Sequence, residues 1–233
     1  MMRTLGILTL LTGFGIAMTE TQAADAVTPL KKGERIIFLG DSITEAGVGP
    51  KGYVTLIREA LNKKHGDLEV EVIGAGISGH KVPDLQRRLQ KDVLDKKPTL
   101  VVIYIGINDV WHGEKDPSKG TLPDRFESGL KEMIEKIEKA GARVVLCTPS
   151  VIGEKKANAN ILDSRLDSYS SISRRVAKDT GATLCDLRKA FIEHLAKNNA
   201  KNQEAGILTG DRVHLNEAGN RFVADTILSV IDP

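Results

Sequence analysis

Three short segments of this 233-residue chain carry side chains suited to moving an acyl group. Gly-Asp-Ser-Ile-Thr at 40–44 sets Ser42 just past an apolar run, and Gly-Ile-Asn-Asp at 106–109 sets Asn108 at the corresponding place past another. Near the C-terminal end, Asp-Arg-Val-His at 211–214 puts Asp211 three residues ahead of His214, with Asn216 placed to cap a following helix. A serine hydroxyl attacks a carbonyl only when a base takes its proton. Imidazole titrates in the right range for that task, and a carboxylate on its other nitrogen fixes the tautomer and stabilises the cation. Negative charge then develops on the carbonyl oxygen, and each donor aimed at it is worth about 2.7–4 kcal/mol. Taken singly, each segment also reads as a turn, a cap or a loop ion pair.

A fourth segment, VIGAGISGHK at 72–81, spells G-x-G-x-x-G through Gly74, Gly76 and Gly79. A dinucleotide turn follows the first strand of its unit, keeps its third glycine inside the helix and has an acid about twenty residues on, at a strand end. Here the glycines follow the second strand, Pro83 marks a helix start that leaves Gly79 outside, and Asp92 and Asp95 fall within that helix. The spacing therefore does not predict a nicotinamide site. It predicts a strand end where a ligand can approach the backbone closely, with the Gly76 amide free to donate to a bound group.

These segments need a scaffold that brings them together. Short apolar runs rich in β-branched residues recur at 35–40, 68–74, 99–106, 142–149 and 182–187, and amphipathic helical patterns fill 53–64, 82–97, 125–141, 162–181, 187–198 and 216–231. Strand and helix alternate with right-handed crossovers, so the expected fold class is α/β: a three-layer α/β/α domain with a five-stranded parallel sheet in flavodoxin-like order 2-1-3-4-5. Its topological switch point lies between the first and third strands. Ser42 and Asn108 then face each other across the crevice, with Gly76 entering from the second strand. Longer loops are expected at 110–122, 150–161 and 199–215, the first two walling the site.

Together, GDSI (40–43), GAGISG (74–79), GIND (106–109) and DRVH (211–214) resemble the four blocks of the SGNH, or GDSL-like, hydrolases, in that family's order. The resemblance implies the SGNH hydrolase fold and ester hydrolysis through an acyl-enzyme, with no cofactor and no metal. It implies Ser42 as nucleophile, His214 as base and Asp211 as the acid that orients it. It also implies an oxyanion hole made of the Ser42 and Gly76 amides and the Asn108 side chain. Two positions depart from the pattern: Ile43 replaces a leucine, and Gly74 stands where an asparagine is common, removing a side chain that could buttress the oxyanion loop. Asp41, His80, Trp111 and His112 are the candidates for lining the pocket, with Asp41 and Asp109 bracing loops. Ser78, which follows a flanking strand, is the rival nucleophile.

Exported members of such families resemble carbohydrate O-acetylesterases or lipid and thioester hydrolases. Aromatic residues make up 4% of the chain, and the loops at 111–120 and 153–160 are polar. These favour a small acyl group, acetyl, on a carbohydrate or other polar carrier, so the partner is a small-molecule or glycan ester. Two other classes stay open. Asp41, Asp109, His112, Asp211 and His214 could ligate two divalent ions in a metal-dependent phosphoesterase, and the same crevice could bind carbohydrate without turning it over.

Composition narrows the rest. With 33 basic and 31 acidic residues, net charge is +2, so nothing calls for nucleic acid or an anionic membrane. Arg3, the apolar run from Leu5 to Met18 and the small residues Ala23, Ala24 and Ala26 have the layout of a secretory signal. Residues 1–23 are read as that signal, and 24–233 as one exported hydrolase domain without stable membrane insertion. Cys147 and Cys185 fall in strands that could be neighbours, read as two buried thiols with a disulfide left open.

Overall fold

A computed structural model describes residues 29–233, and the expected signal at 1–23 lies outside them. Five strands form one sheet: β1 (Arg35–Gly40), β2 (Glu71–Gly76), β3 (Leu100–Tyr104), β4 (Arg143–Cys147) and β5 (Thr183–Cys185). All pair in parallel in the order β2-β1-β3-β4-β5, as the alternating pattern predicts. Ile36, Ile37, Phe38 and Leu39 are fully enclosed, as is nearly all of β3, because helices cover both faces.

On one face, α1 (Ser42–Gly47) and α2 (Tyr53–Lys64) pack with α8 (Glu217–Ile231), and α7 (Leu187–Asn198) joins α8. On the other lie α3 (Val82–Asp92), α5 (Pro123–Lys139) and α6 (Asp163–Thr180), side by side. The ends are set locally: Pro123 opens α5, Gly181 at φ 79° closes α6, and Asn216 Oδ1 accepts from the Gly219 amide to cap α8. Two short helices are absent from the periodic pattern: α1, and α4 (Ile107–Trp111). Each lasts little more than one turn, too short for a period to show, yet each carries a candidate site residue in its first turn, Ser42 in α1 and Asn108 in α4. The helix expected at 82–97 also stops early, at Asp92, where Val93 leaves the helical conformation and is fully buried.

Cys147 and Cys185 sit in register on adjacent strands as buried free thiols. Burial and the neighbouring thiol push the Cys147 thiol up. Enclosed in the sheet, the two side chains pack as small hydrophobes. Among the described residues no helix is long and apolar enough to cross a membrane.

Candidate active site

Ser42 begins α1 at the carboxyl end of β1. Asp41 caps that helix, its Oδ1 accepting from the Ile43 amide at 3.0 Å, and the chain turns back sharply enough that Ser42 projects into the crevice beside β3. His214 reaches the same point from a loop 172 residues away, placing Nε2 2.9 Å from Ser42 Oγ. On its other side, His214 Nδ1 lies 2.7 Å from Asp211 Oδ2. Asp211 Oδ1 also accepts from the amides of Val213 at 3.1 Å and His214 at 2.7 Å, which curls the loop and brings carboxylate and ring together. Partial burial pulls the Asp211 carboxyl upward, but the His214 ring and those amides hold it net below the usual carboxylate value. It is therefore charged at neutral pH and can stabilise an imidazolium.

The glycine-rich segment divides into three separate jobs. A side chain at Gly74 would meet Val48 Cγ1 at 2.2 Å, so the place of the buttressing asparagine is filled from the other side by Val48. A Cβ at Gly76 would come 2.1 Å from the Glu45 amide nitrogen and 2.7 Å from Asp41 O, so this glycine lets α1 lie directly on β2. Gly79 alone has a positive φ, 75°, and faces open space, its nearest neighbour being His112 Cε1 at 3.9 Å.

The oxyanion donor expected at Gly76 needs correction. β2 is an edge strand, and the Ile77 amide donates to Gly40 O at 3.3 Å. Successive amides of a strand alternate in direction, so the Gly76 amide points away from β1 and from Ser42. The Ile77–His80 turn, closed by His80 N–H to Ile77 O at 3.3 Å, offers Gly79 instead, whose amide has no protein acceptor among the described residues. The Ser42 amide, at the first position of its helix, is equally free. Asn108 joins the two sides. Its Nδ2 donates to His80 O at 3.1 Å and, at a long 3.4 Å, to Asp41 Oδ2.

Gly76→Ala is expected to cost about 1–3 kcal/mol, because the colliding atoms are backbone of α1 and cannot step aside. Esterase kcat should fall with it, since relief requires α1 and Ser42 to lift. Gly74→Ala, which meets only a rotatable valine methyl, should cost less in both. Urea unfolding and ester assays on the two variants check the ordering.

Arg88 ties this corner together without any local signal in the sequence. Its guanidinium donates to Ala75 O at 2.9 Å, to Gly40 O at 2.7 Å and to His80 Nδ1 at 3.1 Å, and it pairs with Asp92. Burial and then the Arg88 charge hold the His80 ring below the ordinary histidine value, so it stays neutral and accepts. Glu154, equally unmarked in the sequence, is fully enclosed and receives four bonds. Ile207 N donates to Oε2 at 2.8 Å; Leu208 N at 2.7 Å, Thr209 N at 2.6 Å and Thr209 Oγ1 at 3.0 Å donate to Oε1. It fastens the loop that runs into Asp211 and His214.

Of the expected pocket residues, Trp111 and His112 line an open cleft of about 410 Å³ together with Arg212. Asp41 does not line the crevice but is buried under it as a cap. His80 Nδ1 is occupied by Arg88. Ser78 is turned aside: its amide donates to Glu45 Oε2 at 2.9 Å and its hydroxyl to the same oxygen. Among the described residues, no three His, Cys, Asp or Glu side chains gather as around a metal ion; Asp109 instead accepts from the Val82 amide at 3.1 Å, bracing α3.

Burial pushes the Asp41 carboxyl up to about 7 and the Asp109 carboxyl up to about 6. The folded chain thus holds protons that the unfolded chain releases near the ordinary carboxylate value, so these groups favour folding at low pH and lose that effect as pH rises through 6 to 7. Stability in urea is expected to decline between pH 5 and 7.5, each carboxyl contributing a slope of at most ~1.4 kcal/mol for every unit of pH. Asp109→Asn, which cannot ionise, should show a shallower decline over the same window.

A family model described as GDSL-like Lipase/Acylhydrolase matches residues 38–222. An acetylxylan esterase of Geobacillus stearothermophilus is 31% identical over 213 residues, covering 85% of this chain and 94% of the relative. An isoamyl acetate-hydrolyzing esterase 1 homolog of Rattus norvegicus is 25% identical, covering 85% of this chain and 81% of its own. The crystal structure of an acetyl xylan esterase, AlAXEase, superposes with a TM-score of 0.82 at 48% identity, covering 84% of this chain and 99% of that one.

Proposed function

Since the chain belongs to the GDSL-like lipase/acylhydrolase family and is a serine carboxylic ester hydrolase, we propose that it removes acetyl groups from a carbohydrate through an acetyl-enzyme on Ser42. The observation that carries this reading is the continuous relay from Ser42 Oγ through His214 to Asp211, at 2.9 and 2.7 Å. In the proposed reaction His214 Nε2 takes the Ser42 proton as Oγ adds to the ester carbonyl. Asp211 accepts from Nδ1–H and stabilises the imidazolium. The Ser42 and Gly79 amides receive the developing oxyanion, and the Asn108 amide gives up its long bond to Asp41 to do the same. His214 then protonates the departing alcohol, and a water activated by the same ring hydrolyses the acetyl-serine. The acetylxylan esterase names of the relatives support acetyl as the acyl group and xylan-derived sugars as the carrier.

A serine-directed organophosphate should inactivate the protein with one label on Ser42, located by peptide mapping, while a chelator leaves hydrolysis intact. Loss of activity with the chelator and no label would revive the metal-dependent alternative. Screening acetylated xylo-oligosaccharides against short and long acyl esters tests the carrier. Protein that binds the glycan yet leaves p-nitrophenyl acetate intact would be a binding module instead. We further propose export after removal of residues 1–23. N-terminal sequencing of the exported form should begin near Ala24.

A further inference from the structure

The departing alcohol must receive its proton from His214 Nε2, so the body of the carrier lies on the side of the crevice where the His214 loop stands. The next exposed side chain on that loop is Arg212, held outward by a left-handed backbone at φ 83° and by Gly153 N–H to Arg212 O at 2.8 Å. Facing it is Trp111, one helical turn after Asn108 on α4 and therefore on the same face of that helix. Trp111 and Arg212 wall the open cleft of about 410 Å³, and both also line a smaller adjoining crevice with Ile152, Asn160 and Ile161.

The lining distinguishes among carriers. Besides Trp111 and His112, it consists of Glu114, Lys115, Asp116, Lys119 and Arg212, donors and acceptors in nearly equal number. A lipid tail would need a continuous apolar wall, and a strongly anionic carrier would need cations without matching carboxylates. Here Arg212 Nη1 is already 3.1 Å from Glu204 Oε1. One apolar plane among mixed hydrogen-bonding groups suits a sugar ring, whose C–H face packs on an aromatic ring while its hydroxyls both donate and accept. Trp111 is partly buried against the core, which fixes the plane, and the described Tyr53, Tyr104, Tyr169, Phe38, Phe126 and Phe191 are enclosed.

We propose that the cleft between Trp111 and Arg212 is the subsite for the pyranose that carries the acetyl group, with Trp111 as its stacking platform. This rests on the carbohydrate carrier proposed above. Trp111 is the chain's one tryptophan, so tryptophan emission reports on this cleft alone.

In Ser42→Ala protein, titration with acetylated xylotetraose should give a saturable change in tryptophan emission. Trp111→Leu should lower the ratio of kcat/KM on acetylated xylotetraose to kcat/KM on p-nitrophenyl acetate by about tenfold or more, chiefly through KM, and Trp111→Phe should recover part of it. A silent tryptophan at concentrations that saturate wild-type turnover, or an equal loss on both substrates, would overturn the subsite while leaving the carrier reading standing. Wild-type protein that hydrolyses p-nitrophenyl acetate but not the acetylated sugar would overturn the carrier reading and the subsite together.

Discussion

Ser42→Ala is expected to lower kcat on p-nitrophenyl acetate by a factor of about 10⁴–10⁶, leaving the residual turnover that an oxyanion hole and binding alone supply. The hydroxyl is the only atom removed. Its one hydrogen-bond partner is His214 Nε2 at 2.9 Å, in a half-exposed position, so water can replace it. The cap on α1 uses the Asp41 side chain and the Ile43 amide, both untouched. The unfolding midpoint should therefore move by less than about 1 kcal/mol equivalent. Unchanged circular dichroism with activity above one hundredth of wild type would remove Ser42 from the chemistry. In that event, a water or another side chain held by His214 would be the nucleophile.

Glu154→Ala should produce the largest loss of stability, about 3–5 kcal/mol, because it strands three amides and a hydroxyl in a dry interior. Glu154→Gln separates folding from catalysis. Its carbonyl can still accept at the Oε1 position from Leu208 and Thr209, but its NH₂ would oppose the Ile207 N–H, which now donates at 2.8 Å. The loop from 204 to 212 would shift, and His214 with it, since the Glu154 amide donates to Glu204 O at 3.0 Å and the Gly153 amide to Arg212 O at 2.8 Å. A misplacement of about 1 Å at a catalytic group costs on the order of 10² in rate. We therefore expect a folded Glu154→Gln protein with kcat reduced by about that factor and KM on p-nitrophenyl acetate little changed. A folded variant within twofold of wild-type kcat would show that the loop holds its course without this carboxylate.

Much of this molecule is legible in one dimension. A strand buried on both faces is written as a continuous β-branched run, as in RIIFLG, because such a sequence fits few other environments. The order of strands and helices then fixes a parallel sheet, and the sheet fixes a switch point to which Ser42 and Asn108 must come. Asp211 and His214 are readable as a pair because they are three residues apart, close enough for local geometry to join them.

Which residue types meet at the carboxyl end of β1 thus follows from the linear order of elements, whereas which atoms of the neighbouring segments face them follows only once the chain has folded. G-x-G-x-x-G names three glycines without saying that Val48 covers the first, α1 rests on the second and the third, at a positive φ, keeps an amide without a protein acceptor among the described residues. The choice between Gly76 and Gly79 depends on strand register and amide direction, which no composition encodes. Arg88, Glu154 and Val48 act on chain segments brought to them by folding, and a side chain's partner across 53 residues leaves no mark beside it in the sequence. Residue identity is a local property, whereas the direction of a hydrogen bond is set by everything packed around it.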